Sequence, residues 1–164
     1  MNELESKVVE WAKARGIYNG ERDETRFRTQ LFKLLSEVGE LADAYIKNDK
    51  EALKDAIGDC AVVLTSLVRL AYKSTTIVDT MQMVKINALT TDSAISFIVE
   101  HLSVLFIREY FEDYKLNFSA IINFLSNIAE YNGFTLEECY YSAYEVIKNR
   151  TGKTTADGNF IKDN

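Results

Sequence analysis

A chain of 164 residues, 47% apolar and 27% charged, is long enough for one compact domain with a real core and ordinary in composition for a globular protein. Its 25 acidic against 19 basic residues give a net charge of −6, which disfavours sequence-blind binding to DNA or RNA, since that needs a basic surface, yet permits a nucleotide held through cations. Two cysteines outside any CxxC pair, a single histidine and no apolar run of membrane-spanning length argue against a zinc site, a histidine-based nucleophilic triad and a membrane anchor.

Proline is absent, which removes the commonest helix breaker and points to long uninterrupted helices. Leu4, Val8, Trp11 and Ala12 recur at helical spacing and predict a first helix over 3–15. The opening Met1-Asn2-Glu3-Leu4-Glu5 is acidic and lacks the apolar core of a signal peptide, so a cytoplasmic location is expected. Gly16 and Gly20 punctuate a polar loop. Residues 24–47 predict a second helix whose apolar stripe is Leu31, Leu34, Leu35, Val38, Leu41, Ala42 and Tyr45. Gln30, Lys33, Glu37 and Glu40 form an adjoining polar stripe, and Asn48-Asp49 ends the helix. A third helix spans 50–73, and a short one is expected near 77–88. An apolar helix over 93–112 follows, then a connector at 113–117 and a helix over 119–131 that Asn132-Gly133 stops. Thr135-Leu136-Glu137-Glu138 is a capping box that opens a last helix over 136–149, and the tail 151–164 is expected to be irregular. The fold expected is all-α: an antiparallel helical bundle with its core in 1–72 and 119–150 and a helical insertion over 73–118. Residues 96–132 echo 32–71 in helix lengths and set Glu100 against Glu37, without the other acids.

The chemistry concentrates in two acidic pairs, Glu37 with Glu40 and Asp55 with Asp59. Carboxylates three or four residues apart share a helix face, and two such helices joined by a short turn aim their acids at one region. Such a cluster repels itself unless a hard cation sits in it, and oxygen-only ligation suits Mg²⁺ or Mn²⁺. A site of that kind serves a phosphate-bearing substrate. Gly39 and Gly58 each stand beside an acid, although an interior helix glycine costs roughly 1 kcal/mol against alanine. Close helix approach and room for a bound ligand both account for them.

The pattern Glu37-x-x-Glu40, a spacer, then Asp59 in the next helix resembles the MazG-like all-α nucleoside triphosphate pyrophosphohydrolases. The family's motif reads ExxE followed by ExxD; Ala56 stands at the second glutamate, and Asp55, one residue earlier, is the expected substitute. Trp11-Ala12-Lys13-Ala14-Arg15-Gly16 and Gln30-x-x-Lys33 look like positions of phage-type members. So do the stretch from Tyr144 through Lys148, Arg150, Gly152 and Lys153, and the string Asp157-Gly158-x-Phe160-Ile161-Lys162. The resemblance implies hydrolysis of a nucleoside triphosphate to monophosphate and pyrophosphate in the service of the nucleotide pool, in a phage or prophage setting. It implies Mg²⁺, with Mn²⁺ as substitute, held by Glu37, Glu40, Asp59 and Asp55, with the first three at the reacting centre. Lys33, Lys148, Arg150 and Lys153 are then candidates for phosphate contacts, Gln30 for orienting ligand or substrate, and Trp11 for stacking on a base. Family members assemble as dimers or higher oligomers, so a homodimer is expected. The contrasting expectation is a catalytically inactive helical protein that binds a host partner, for which Ala56 is the best support.

Other features favour structural roles. Cys60 and Cys139 lie in apolar runs and read as buried reduced thiols. His101 sits among apolar residues. Tyr18 and Phe27, like Trp11, offer rings that could stack on a base, though aromatics at this spacing more often belong to the core, and Tyr140, Tyr141, Tyr144, Phe97, Phe106, Phe111 and Phe124 read as core or subunit interface. Arg150-Thr151-Gly152-Lys153-Thr154 lacks the first glycine and preceding strand of a P-loop.

Overall fold

The computed structural model describes residues 1–81, 89–107 and 114–163. Among them are seven helices: α1 (Asn2–Ala14), α2 (Glu24–Ile46), α3 (Lys50–Tyr72), α4 (Ile77–Met81), α5 (Thr91–Ile107), α6 (Tyr114–Tyr131) and α7 (Leu136–Ile147). Two strands follow, β1 (Gly152–Thr154) and β2 (Phe160–Lys162). The all-α class holds, and no helix among the described residues is long and apolar enough to cross a membrane.

The caps explain where the long helices begin. Asp23 accepts the Arg26 backbone N–H at 2.9 Å to open α2, and Asp49 accepts that of Ala52 at 3.1 Å to open α3. Asn48, in the left-handed region at φ 52, makes the sharp turn between them. The capping box of α7 is complete: Thr135 Oγ1 accepts the Glu138 N–H at 3.1 Å, and Glu138 accepts that of Thr135 at 2.7 Å.

α3 is the central helix. From Ala56 to Val68 every residue is buried except the partly exposed Asp59, so the helix is apolar nearly all round and surrounded by α2, α6 and α7. Gly58 belongs to this packing: a Cβ there would run into the Cys139 carbonyl oxygen and Ala143 of α7. Close approach therefore accounts for Gly58. Tyr140, fully buried, shares a 2.7 Å hydrogen bond with Thr65 across the same interface. α5 and α6 pack on each other, with α5 against α2 and α4 on α6. Glu5, 1% exposed, ties α1 to this layer by accepting the Ile77 N–H at 3.1 Å.

Four expectations change. The tail is not irregular: β1 and β2 form an antiparallel hairpin in the register Gly152 to Lys162 and Thr154 to Phe160. α6 begins at Tyr114, so residues 114–117 are helical rather than a connector; Tyr114, Asn117 and Phe118 are buried there. The buried side of α2 is rotated from the expected stripe, because Gln30, Glu37 and Ala44 face inward while Leu35 and Tyr45 are exposed. Tyr141 is exposed, which removes it from the core and leaves the interface alternative of that expectation. The short helix expected to 88 and the apolar helix expected to 112 run into 82–88 and 108–113, which lie outside the described residues, as does Phe111.

Candidate functional site

The antiparallel α2–α3 hairpin sets the geometry. Residues equally distant from Asn48 lie at the same height, which places Glu37 opposite Asp59 and Glu40 opposite Ala56. Gln30, Lys33, Glu37 and Glu40 run along one side of α2 at spacings of three and four, and Asp59, Val62, Val63 and Ser66 do the same on α3. These two rows form the floor of a cleft of about 570 Å³. Trp11, Ile147 and Arg150 form one wall, and Asn159, Phe160, Ile161 and Lys162 of the hairpin form another.

Glu37 is 4% exposed and meets Lys33 Nζ at 2.5 Å. Burial, followed by the charge of Glu37, pushes the Asp59 carboxyl up to about 6; Arg150 and Lys33 oppose the rise, and Glu40 adds to it. Glu40 is exposed along the cleft. Arg150 and Lys162 line the same cleft, and among the described residues no carboxylate is in ion-pair contact with either, which leaves two cations facing an anionic ligand. Three carboxylates thus share the cleft, although among the described residues no three acidic, imidazole or thiol groups stand close enough together to form a ready ligand set.

The hairpin is fastened to the first two helices. Trp11 donates from Nε1 to the Ile147 carbonyl at 2.9 Å and meets Phe160 edge-on at 6.0 Å. Arg15 lies over both rings and donates to the carbonyl oxygens of Arg150 at 2.6 Å and Lys148 at 3.2 Å. Gln30 donates to the Gly158 carbonyl at 3.1 Å, and Thr29 to Asp157 at 3.1 Å. Gly158, at φ +83, supplies the left-handed turn residue and lies against Arg26.

Of the residues singled out from sequence, Trp11, Gln30, Lys33, Glu37, Glu40, Asp59 and Arg150 meet in this cleft. Asp55 does not: it is exposed and outside the cleft, because the position opposite Glu40 is the buried Ala56 and Asp55 lies 100° around the helix from it. Lys148 pairs with Glu145 at 2.6 Å on the surface, and Lys153 is exposed on β1, outside the cleft. Phe160 and Lys162 escaped assignment because the tail was expected to be irregular. The dipeptide Asp157-Gly158 between two short runs is a hairpin signal that points to them.

No family model matches the chain, and no solved structure matches it. The chain is similar to a curated phage protein, the "Uncharacterized 18.2 kDa protein in rep-hol intergenic region" of Haemophilus phage HP1, with 32% identity over 69 residues. That match covers 42% of this chain and 40% of the relative.

Proposed function

We propose that this cleft hydrolyses a nucleoside triphosphate to monophosphate and pyrophosphate with the help of Mg²⁺ or Mn²⁺. The observation that carries the reading is the meeting of Glu37, Glu40 and Asp59 with the cations Arg150 and Lys162 in one cleft that aromatic rings also line. The motif's resemblance to MazG-like pyrophosphohydrolases and the similarity to a phage protein add to it, and a role in the nucleotide pool of an infected or lysogenic cytoplasm fits both.

A hard divalent cation fits the donor set. Its ligands would be oxygen only, and Asp59 carries a carboxyl whose ionisation burial and Glu37 penalise, the kind of group a cation relieves. Glu37, Glu40 and Asp59 would hold it, and when bound it supplies charge neutralisation at the phosphoryl oxygens. Arg150 and Lys162 meet the phosphate oxygens, which offset the positive charge that both present to the cleft. Trp11 and Phe160 offer apolar surface to the base, and Gln30, already anchored to the hairpin, fixes the cleft wall. Water attacks the α-phosphorus, the bond from that phosphorus to the bridging oxygen breaks, and pyrophosphate leaves; one of the three carboxylates takes the proton of the water. The test is turnover of triphosphates with Mg²⁺ or Mn²⁺, and its loss in Glu40→Ala with helix content intact.

One observation favours a second reading, a helical protein that binds a host partner without catalysis. Ala56 is buried where the resembling family carries a glutamate, and Asp55 turns to solvent, so one acid of the family's set has no counterpart in the cleft. A thermal-shift titration separates the two readings. A cation or a nucleotide analogue that binds the folded chain raises its melting temperature by mass action, and an unmoved transition with both favours the partner-binding role.

A further inference from the structure

We propose that the end of the cleft farthest from Glu40 is a nucleobase pocket in which the hydroxyl of Ser66 determines which base is accepted. The inference rests on the nucleotide reading of the cleft and names the part of the substrate that this end reads. The height rule that sets Glu37 opposite Asp59 also sets Gln30 opposite Ser66, since both are equally distant from Asn48. The two pairs lie seven residues apart on each helix, about 10 Å along the axes. The cleft is therefore polarised. Its carboxylates stand at one end, and the floor at the Gln30 and Ser66 end carries no charge. The hairpin follows the same polarity: Gly158 at its turn accepts from Gln30, whereas Arg150, just before its first strand, bears on Asp59.

Ser66 is the observation that points to a ligand. It is 3% exposed and lines the cleft, yet its hydroxyl has no hydrogen bond to any described residue. A buried helical hydroxyl ordinarily bonds back to the carbonyl four residues before it, as Thr65 does to Ala61 at 2.9 Å, and Thr65 also meets Tyr140. Ser66 does neither. A hydroxyl withdrawn from water without a partner is costly, and the polar edge of a ligand removes that cost. Gln30, 5% exposed, stands at the same height with its amide orientation fixed. The Gly158 oxygen can only accept, so it takes the Nε2 side at 3.1 Å, and Oε1 is left as an acceptor with no donor among the described residues.

This acceptor suits a ligand that brings an N–H, which a phosphate does not have. An N–H beside a hydrogen-bond acceptor is the arrangement on the Watson–Crick edge of a nucleobase: the N–H donates to Gln30 Oε1, and the Ser66 O–H donates to its neighbour. Val62 and Val63 on the floor, with Trp11 and Phe160, supply apolar surface for the faces of the ring. A pocket that hydrogen-bonds its ligand rejects an analogue that leaves the bond unmade far better than an apolar pocket does, so Ser66 carries selectivity between bases.

The test is the binding of the nucleoside 5′-monophosphates of the five common bases to the full chain with Mg²⁺, followed by the fluorescence of Trp11, the single tryptophan, which lines the cleft. The readout needs no turnover. The wild type is expected to bind one base at least about tenfold more tightly than the others. Ser66→Ala removes the hydroxyl and adds no bulk; it is expected to erase most of that ratio with unchanged helical circular dichroism. Thr65→Val deletes the neighbouring hydroxyl, which faces Tyr140, and is expected to lower the melting temperature and keep the ratio. A ratio lost in Ser66→Ala and kept in Thr65→Val upholds the proposal even where no triphosphate is hydrolysed. A ratio that Ser66→Ala leaves intact, or that Thr65→Val abolishes equally, overturns it even where triphosphates are hydrolysed. So does a wild type that binds every base alike or none.

Discussion

Lys33 reaches one turn along α2 and sets its ammonium 2.5 Å from the carboxylate of Glu37, which is buried while the lysine is half exposed. The pair sets a cation against a buried acid inside an acidic cleft. Removing the ammonium from a pair that is buried on only one side costs about 1–2 kcal/mol, between the values for exposed and buried pairs. Lys33→Met should therefore lower the stability of the metal-free protein by about that amount. Mg²⁺ should recover more of the loss than it adds to the wild type, because the cation replaces the missing ammonium. Parallel urea titrations with and without Mg²⁺ measure both quantities.

Asp59 carries a pH dependence of opposite sign to the usual acid. Its folded carboxyl lies near 6, against 3.8 for an unperturbed aspartate. Below 3.8 both states hold the proton. Between 3.8 and about 6 the unfolded chain has lost it while the folded chain retains it, so stability falls as pH rises through that window. The fall is about 2 kcal/mol once screening at the partly open cleft is allowed for. Asp59→Asn should flatten this part of the profile and leave the metal-free protein more stable than wild type at pH 7, while abolishing turnover. Denaturant midpoints across the window, compared between the two proteins, check the sign.

The hairpin predicts a binding defect separable from a folding defect. Lys162 is exposed on the last strand and makes no ion pair among the described residues, so its loss removes a charge from the cleft and little else. Lys162→Ala should raise KM for the triphosphate about tenfold, as expected for about 1.4 kcal/mol of lost phosphate contact, and leave melting temperature unchanged. An unaltered KM would remove Lys162 from the site.

Gly58 and α7 give a purely structural prediction. A methyl group at this position meets the Cys139 carbonyl oxygen and Ala143, neither of which is the free end of a flexible side chain. Gly58→Ala should destabilise the fold by about 2 kcal/mol despite its gain in helix propensity, as overpacking does. Chemical denaturation of the variant measures it.

Much of this was legible in the sequence because helix signals are local. Helical periodicity, the absence of proline and the capping box at Thr135 place α2, α3 and α7 within a residue or two, while the caps at Asp23 and Asp49 emerge only from the structure. Spacing also put Glu37, Glu40 and Asp59 on facing rows, since a short turn leaves two helices little choice but to pair. What stayed hidden depends on packing between distant segments. Whether Leu35 or Ala44 faces inward is decided by where α3 and α5 lie, and the sequence of α2 offers an apolar residue on both sides. Asp55 was assigned by its nearness to the motif, but one residue is 100° of helix, and that turn carries it out of the cleft. The role of Lys162 rests on the pairing of Trp11 with Phe160, two rings 149 positions apart in the chain.

The most direct measurement is a product assay on the common ribo- and deoxyribonucleoside triphosphates, dUTP included, with Mg²⁺ and then Mn²⁺. The account predicts monophosphate and pyrophosphate from at least one of them, lost in Glu40→Ala. Turnover of none with either metal, or release of diphosphate and phosphate instead, would contradict it.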